Sequence, residues 1–354
     1  MTEEKQIFDV IIVGQGIAGT LLHDQLTARG KSVLVIDNHF KSNSSLVAAG
    51  MFNPIVFKRL NKSWKADTLL PKANEIYSSM QEKLGKQILF PLDIIRVFAN
   101  HEQQNDWYAR SGEVGYTNYL TNKSVGDLTN NNIDVSFGYG VLKEGGWVNL
   151  DVMLNEYRSK LKDANQLLEE AFDYNQLVIK ENKLLYKEIK AQSIIFCEGN
   201  LVRNNPWFNH LPFTLTKGEL LTIRIGNLDT DKILNKGFFV LPVGNNIYKV
   251  GATYNWKDKT DTPTEEAKEE LLKKLQSLLD HPFELIGHQA GVRPTTKDRR
   301  PIIGTHPKHQ NLHVFNGLGT KGVMIAPYFV DQFCDFLEGK SQLDKEVDLN
   351  RFNL

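Results

Sequence analysis

Phe8-Asp9-Val10-Ile11-Ile12-Val13 runs without a break into Gly14-Gln15-Gly16-Ile17-Ala18-Gly19. No other stretch restricts the fold as tightly. A continuous apolar run rich in β-branched residues reads as a strand buried on both faces, as in a parallel sheet. Over residues 17–29, Ala18, Leu21, Leu22 and Leu26 fall at helical spacing, and Gly30 stands where a left-handed cap ends a helix. Val33-Leu34-Val35-Ile36 is a second apolar strand, ending in Asp37. Strand, glycine turn, helix, strand and terminal acid make one βαβ unit of dinucleotide-binding type. In such a unit Gly14 permits the tight turn, Gly16 lets backbone approach a pyrophosphate, and Gly19 lets helix and strand pack closely. The helix N-terminus, at Ile17 and Ala18, turns free N–H groups toward the phosphates. Asp37, with Asn38 beside it, is placed to accept ribose hydroxyls. The pattern does not separate NAD from FAD.

Further along, a polar linker with small residues covers 42–50, and residues 69–84 show the spacing of an amphipathic helix. Residues 88–144 read as short strands and turns, and a helix is expected from Leu150 to about Leu161. Ser193-Ile194-Ile195-Phe196-Cys197 is another buried strand, ending in Glu198-Gly199. Residues 213–225 and 238–253 read as strands, with a turn at Gly244-Asn245-Asn246. Helices are expected over 264–279 and 322–338, with a strand over 312–315 before the second. The tail after Gly339 is polar, and its last residues are expected to be loosely ordered.

Nucleotide-type signals lie at both ends and near residue 195, with hairpin-rich material between. The expectation is an α/β Rossmann-like domain with a parallel sheet, discontinuous over 1–58, 145–205 and 285–354. A substrate domain with an antiparallel sheet, of α+β type, is inserted as 59–144 and 206–284. A chain of 354 residues is long enough for two such cores.

Lys and Arg total 42 and Asp and Glu total 42, so no net field draws the chain to nucleic acid or an anionic membrane. Cys197 and Cys334 make no disulfide framework and read as buried free thiols. The first six residues are acidic, and the apolar run after them ends at Gly14, unlike a signal peptide. A cytoplasmic location is expected. His306, His309 and His313 have no acid or cysteine to complete a metal set, so no metal is expected. Nothing here fixes an oligomeric state.

The late part of the chain adds specificity. Gly291-Val292-Arg293-Pro294, Asp298, Pro301-Ile302-Ile303-Gly304 and Gly317-Leu318-Gly319-Thr320-Lys321-Gly322 follow in order. Before them stand Ser44-Ser45-Leu46-Val47-Ala48-Ala49-Gly50-Met51-Phe52-Asn53-Pro54, Lys217-Gly218-Glu219-Leu220 and Val250-Gly251-Ala252-Thr253. With the N-terminal glycines and Asp37, these stretches resemble the glycine and D-amino-acid oxidase family of FAD enzymes over most of the chain. That family includes glycine oxidase and monomeric sarcosine oxidase.

The resemblance implies FAD, held non-covalently because neither cysteine matches the attachment position of some members. It implies cofactor contacts from Ser44, Ser45, Ala49, Gly50 and Met51 in a second loop. Phe172 stands where relatives often have a valine contacting adenine, and Cys197, Glu198 and Gly199 fall at a strand end beside the cofactor. Glu198 replaces the usual small residue and would bring a carboxylate near the phosphates or ribose. Gly317, Leu318, Gly319, Thr320, Lys321, Gly322 and Val323 would meet the isoalloxazine, with a helix N-terminus at its N1–C2=O edge.

Arg293 is a planar bidentate donor suited to a substrate carboxylate, and the resemblance gives it that role; a structural salt bridge is the other reading. Lys321 adds positive charge near the flavin or reaches a substrate acid, or is an exposed lysine. Lys249 stands where some members carry a lysine that aids reaction of reduced flavin with oxygen; on an alternating strand it otherwise faces solvent. Asn53 and Tyr254 are read as further substrate contacts.

The activity implied is oxidation of the C–N bond of a small amino acid or secondary amine, with hydride passing to flavin N5 and molecular oxygen as acceptor. Three alternatives stay open. One is a tRNA-modification flavoprotein removing a glycine-like group from a modified base, although balanced charge makes nucleic acid an unexpected partner. The others are a dehydrogenase with a non-oxygen acceptor and a flavin-binding protein without turnover.

Overall fold

A computed structural model describes residues 7–39, 43–122, 132–180, 183–226, 228 and 230–352. The acidic N-terminal hexapeptide and Ser42 of the linker lie outside them. Ile7–Val13 is a central strand, parallel to Val33–Ile36 on one side and to Ile189–Phe196 on the other. Leu167–Leu168 extends the sheet beyond Val33–Ile36, and His309–Asn316 pairs parallel with Ile189–Phe196. Three antiparallel strands, Leu177–Lys180, Lys183–Tyr186 and Ile302–His306, complete it. Both faces are covered, which is why its strands read as unbroken apolar runs. Val10, Ile12, Val33 and Val35 face the helices Ile17–Ala28, Ala66–Leu84, Leu150–Asp163 and Gly322–Leu337. Ile11, Val13, Ile194 and Phe196 pack on the other side with Phe208 and Leu211.

The second eight-stranded sheet runs in the order Glu284–Arg293, Thr216–Arg224, Ile247–Gly251, Phe239–Gly244, Ile233–Asn235, Ile94–Val97, Tyr139–Leu142, Leu120–Thr121. All its pairings are antiparallel except that between Ile233–Asn235 and Ile94–Val97. Asn245 and Asn246, both at positive φ (52° and 59°), close the expected hairpin. One face of this sheet buries Leu221, Val250 and Tyr248 under the helix Glu265–Gln276. The other carries Leu220, Leu241 and Ile94 against Val47, Ala49 and Trp147, so it looks back onto the loop after Asn38. The functional seam lies between that face and the parallel sheet.

Several elements differ from the sequence reading. Glu284–Arg293 belongs to the antiparallel sheet, paired with Thr216–Arg224 from Thr216↔Arg293 onward, although 285–354 was expected with the parallel one. The segment 88–144 contains a helix, His101–Ser111, opened by the Asn100 side chain accepting from Gln103 N–H. Only Trp107 and Ser111 of that helix are buried, so it carries no apolar periodicity. The linker folds into a short helix, Ser44–Val47, capped by Asn43. The tail docks up to Phe352: Leu343, Val347 and Leu349 are buried, Ile303 N–H donates to Val347 O, and Arg351 pairs with Asp298, while the last two residues of the tail lie outside the described residues.

Candidate active site

The cavity in the seam has a volume of about 520 Å³. The glycine turn forms one wall. Gly14 takes φ +101°, and a Cβ there would sit 2.6 Å from the Cys197 carbonyl oxygen. A Cβ on Gly19 would collide with the Gly14 carbonyl, so the helix approaches the strand only because that residue is glycine. Ser45 Oγ accepts from Ile17 N–H at 3.1 Å, tying the second loop to the helix N-terminus. Ser44 Oγ donates to the Val292 carbonyl, which fastens the same loop to the antiparallel sheet.

Asp37 lines the cavity with Asn38. Its Oδ2 accepts from Gln15 N–H at 2.8 Å and its Oδ1 from Arg158 Nη1 at 2.8 Å. Arg158 also donates to the Asp37 carbonyl, to Gln15 Oε1 and to Glu169 Oε1, each at 3.0 Å. The sequence reading missed Arg158. Its signal was position: it lies four residues after Leu154 in the helix Leu150–Asp163, on the stripe with Leu150 and Leu161 that packs inward. A charge on a buried stripe needs a partner, and Asp37 is that partner.

Phe172, Cys197, Glu198 and Gly199 line the same end. Phe172 stacks on Tyr186 at 4.5 Å. Glu198 accepts from Tyr174 Oη at 2.5 Å and from Asn205 Nδ2 at 2.8 Å. Burial pushes its carboxyl up to about 7 against the opposing pull of those two hydrogen bonds.

At the other end Arg293 lines the cavity beside Gly218, Gly251 and Tyr254. Its Nη1 reaches only the carbonyls of Lys217 and Thr253, at 3.5 and 3.4 Å, and its guanidinium lies 4.8 Å over the Tyr254 ring. Among the described residues no carboxylate pairs with it, and desolvation lowers its pKa. Tyr254 is 60% exposed, so the ring under the guanidinium also meets solvent. Gly218 and Gly251 both stand within strands, Thr216–Arg224 and Ile247–Gly251. A glycine inside a strand marks close approach, and both lie on the cavity wall.

Ala49, Gly50, Met51, Leu318, Gly319, Thr320, Gly322 and Val323 complete the expected lining, with Gly16, Ile17 and Ala18. Five expected residues stand off it. Gly19 and Gly317 act in backbone packing behind the wall. Lys321 turns away and donates to Ser63 Oγ, which in turn donates to the Asn53 carbonyl. Asn53 therefore meets Lys321 through Ser63, and its buried Oδ1 has no partner among the described residues. Lys249 is half-buried, not solvent-facing, and its register partner Leu241 packs on the seam face of the sheet. Burial lowers its pKa against the opposing charge of Asp151. The three histidines are spent in packing: His306 stacks on His309, and His313 is buried beside Thr305.

A glycine-turn dinucleotide cradle facing an antiparallel sheet across one cavity defines a class: a nucleotide-cofactor oxidoreductase. Residues 9–330 match the family described as DAO: FAD dependent oxidoreductase. The chain belongs to that family, and its cofactor is FAD. It is 25% identical over 315 residues to the tRNA 5-methylaminomethyl-2-thiouridine biosynthesis bifunctional protein MnmC of Legionella pneumophila (strain Corby), covering 84% of this chain and 45% of that protein. The chain thus spans about half the length of that relative. It is 22% identical to the glycine oxidase of Bacillus licheniformis, over 94% of this chain and 93% of that one. The crystal structure of glycine oxidase from Geobacillus kaustophilus superposes with a TM-score of 0.81 at 20% identity, covering 96% and 97% of the two chains. Among the described residues no helix is long and apolar enough to cross a membrane.

Proposed function

We propose that this protein oxidises the C–N bond of a small amino acid or secondary amine whose carboxylate is held by Arg293. The observation that carries this is the guanidinium itself: turned into the cavity, desolvated, and met among the described residues by two long contacts to carbonyl oxygens and the Tyr254 ring but by no carboxylate. An arginine so placed is completed by a bidentate anion. Bound FAD supplies the two-electron acceptor, and the chain supplies orientation. Arg293 fixes the carboxylate, Tyr254 supports the guanidinium from below, and Gly218 leaves room for it. Lys249 on the seam face adds positive charge near the reacting centre, where oxygen is the acceptor in this reading. The division into a discontinuous FAD domain and an inserted substrate domain is part of the same reading.

The test is anaerobic bleaching of the flavin with glycine, sarcosine, D-amino acids and proline, repeated in Arg293→Ala. A substrate that bleaches the wild type and shows a sharply raised KM in the variant, with FAD still bound, supports the assignment. An unchanged KM for every carboxylate substrate overturns it. Peroxide production then separates an oxidase from a dehydrogenase.

A second reading has one observation in its favour. The bifunctional tRNA-biosynthesis relative matches at higher identity than the full-length glycine oxidase. On that reading the amine is carried on a nucleoside. Bleaching by unfractionated tRNA but by no free amino acid selects it.

A further inference from the structure

A second cavity, of about 570 Å³, opens beside the first and shares Asn235 and Gly237 with it. At its wall lies Arg96, only 8% exposed. Its Nη1 donates to Asn235 Oδ1 at 2.5 Å and its Nη2 to Gln103 Oε1 at 3.3 Å, both neutral amides. Its guanidinium lies 5.5 Å over the Phe57 ring. Among the described residues no carboxylate is in ion-pair reach of it, and desolvation lowers its pKa to about 10. A buried arginine without an anion is costly unless something supplies one. The rest of the charged lining is Lys58, Arg59 and Arg110 against Asp106 and Glu113, and Glu113 is already paired with Arg110 at 2.6 Å. The cavity therefore favours an anion.

Its place relative to the flavin site follows from strand register. Arg96, Asn235, Phe239 and Gly251 are successive partners across four neighbouring strands. Asn235, Phe239 and Gly251 line the first cavity, so the row leads from Arg96 directly into it. At ~4.8 Å per strand, Arg96 stands roughly 14 Å from Gly251 in backbone terms. That is too far for the two ends of a free amino acid and suits a longer molecule.

We propose that Arg96 and its cavity bind a phosphate or carboxylate at the far end of an extended substrate, whose near-end carboxylate, next to the reacting amine, lies at Arg293. The preferred substrate class is then an N-substituted amino acid carrying a distal anion, not a free amino acid. This rests on the Arg293 assignment for the near end only; the far-end site is testable without it.

The first experiment titrates the FAD-loaded protein with inorganic phosphate at low ionic strength by calorimetry, and then with propane-1,2,3-tricarboxylate. One site per chain is expected, weakened at least about tenfold in Arg96→Gln and severalfold in Arg59→Glu, an exposed rim change that spares the core. The tighter of the two probes identifies the kind of anion. No binding, binding unaffected by both variants, or binding lost only in Arg293→Gln overturns the proposal. The second experiment compares an N-carboxymethyl amine bearing a phosphate about ten bonds away with its hydroxyl analogue. The phosphate is expected to lower KM about tenfold or more in the wild type, with that advantage gone in Arg96→Gln. An equal KM for both compounds in the wild type sinks the proposal. If neither compound is oxidised while phosphate binding still depends on Arg96, the near-end assignment has failed and the far-end site stands.

Discussion

Gly218 and Arg293 fit as mould and cast: a Cβ built on Gly218 would lie inside the Arg293 guanidinium. Gly218 sits mid-strand at an ordinary extended conformation, facing Gly291 in register, so alanine there strains no backbone. Gly218→Ala should act through the arginine alone. It should raise KM for a carboxylate substrate roughly tenfold or more while FAD content and Tm stay close to wild type. Steady-state kinetics with flavin quantitation checks this; an unchanged KM would mean that the guanidinium works from another position.

The Asp37–Arg158 pair makes a second prediction. Arg158 is 4% exposed and braces Asp37, Gln15 and the Asp37 carbonyl together. Removing one partner of a buried pair typically costs about 3–5 kcal/mol, because the other charge is stranded. Arg158→Met should lower Tm and weaken FAD binding by roughly ten- to a hundredfold, read by titrating apoprotein with FAD and following flavin fluorescence. Tight FAD binding in a folded Arg158→Met protein would show that Asp37 needs no brace.

Glu198 gives a pH signature. Its carboxyl is raised from an ordinary 4.5 to about 7, with burial the first cause. The unfolded chain therefore loses this proton before the folded one does. Stability from Glu198 is greatest below pH 4.5, falls as pH rises through that window, and levels off above pH 7. The wild type minus Glu198→Gln difference in apoprotein unfolding free energy should fall by about 3 kcal/mol across it. Denaturant midpoints at pH 5, 6, 7 and 8 measure it, and a flat difference excludes the shift.

How much of this could be read from sequence divides along one physical line. The βαβ unit announces itself because its signals are local: an apolar run, three spaced glycines and an acid within 24 residues, Gly14 to Asp37. The helix His101–Ser111 was hidden because it buries almost nothing. The Arg158 brace joins residues 121 apart: the helical stripe marks Arg158 as buried, but no local pattern names Asp37 as its partner. Arg96 looked like one more strand residue until Asn235 and Phe57 were brought beside it. Lys321 shows the limit most directly. Its neighbours Thr320 and Gly322 line the cavity as expected, yet its own side chain turns the other way.

That turn has a thermodynamic consequence. Lys321 donates to Ser63 Oγ with no carboxylate in ion-pair reach among the described residues, and burial lowers its pKa from 10.5 to about 8. The folded state thus gives up this proton more readily than the unfolded chain, and below pH 8 it holds a desolvated charge. Stability from this group should rise as pH climbs from 8 to 10.5, the reverse of a lysine in a salt bridge. Replacing the ammonium with an apolar chain of similar length removes the penalty. Lys321→Met should therefore be as stable as wild type or more so at pH 7, by up to about 3 kcal/mol, with the difference shrinking toward pH 10. A side chain held at such a disadvantage points to a task, here positive charge behind the cavity-lining turn that is proposed to meet the flavin. Lys321→Met should accordingly lower the flavin reduction potential at pH 7. Chemical denaturation from pH 7 to 10 reads the first effect and a dye-equilibrated redox titration the second. A variant that loses stability at pH 7 and keeps the wild-type potential would make Lys321 an ordinary packing residue.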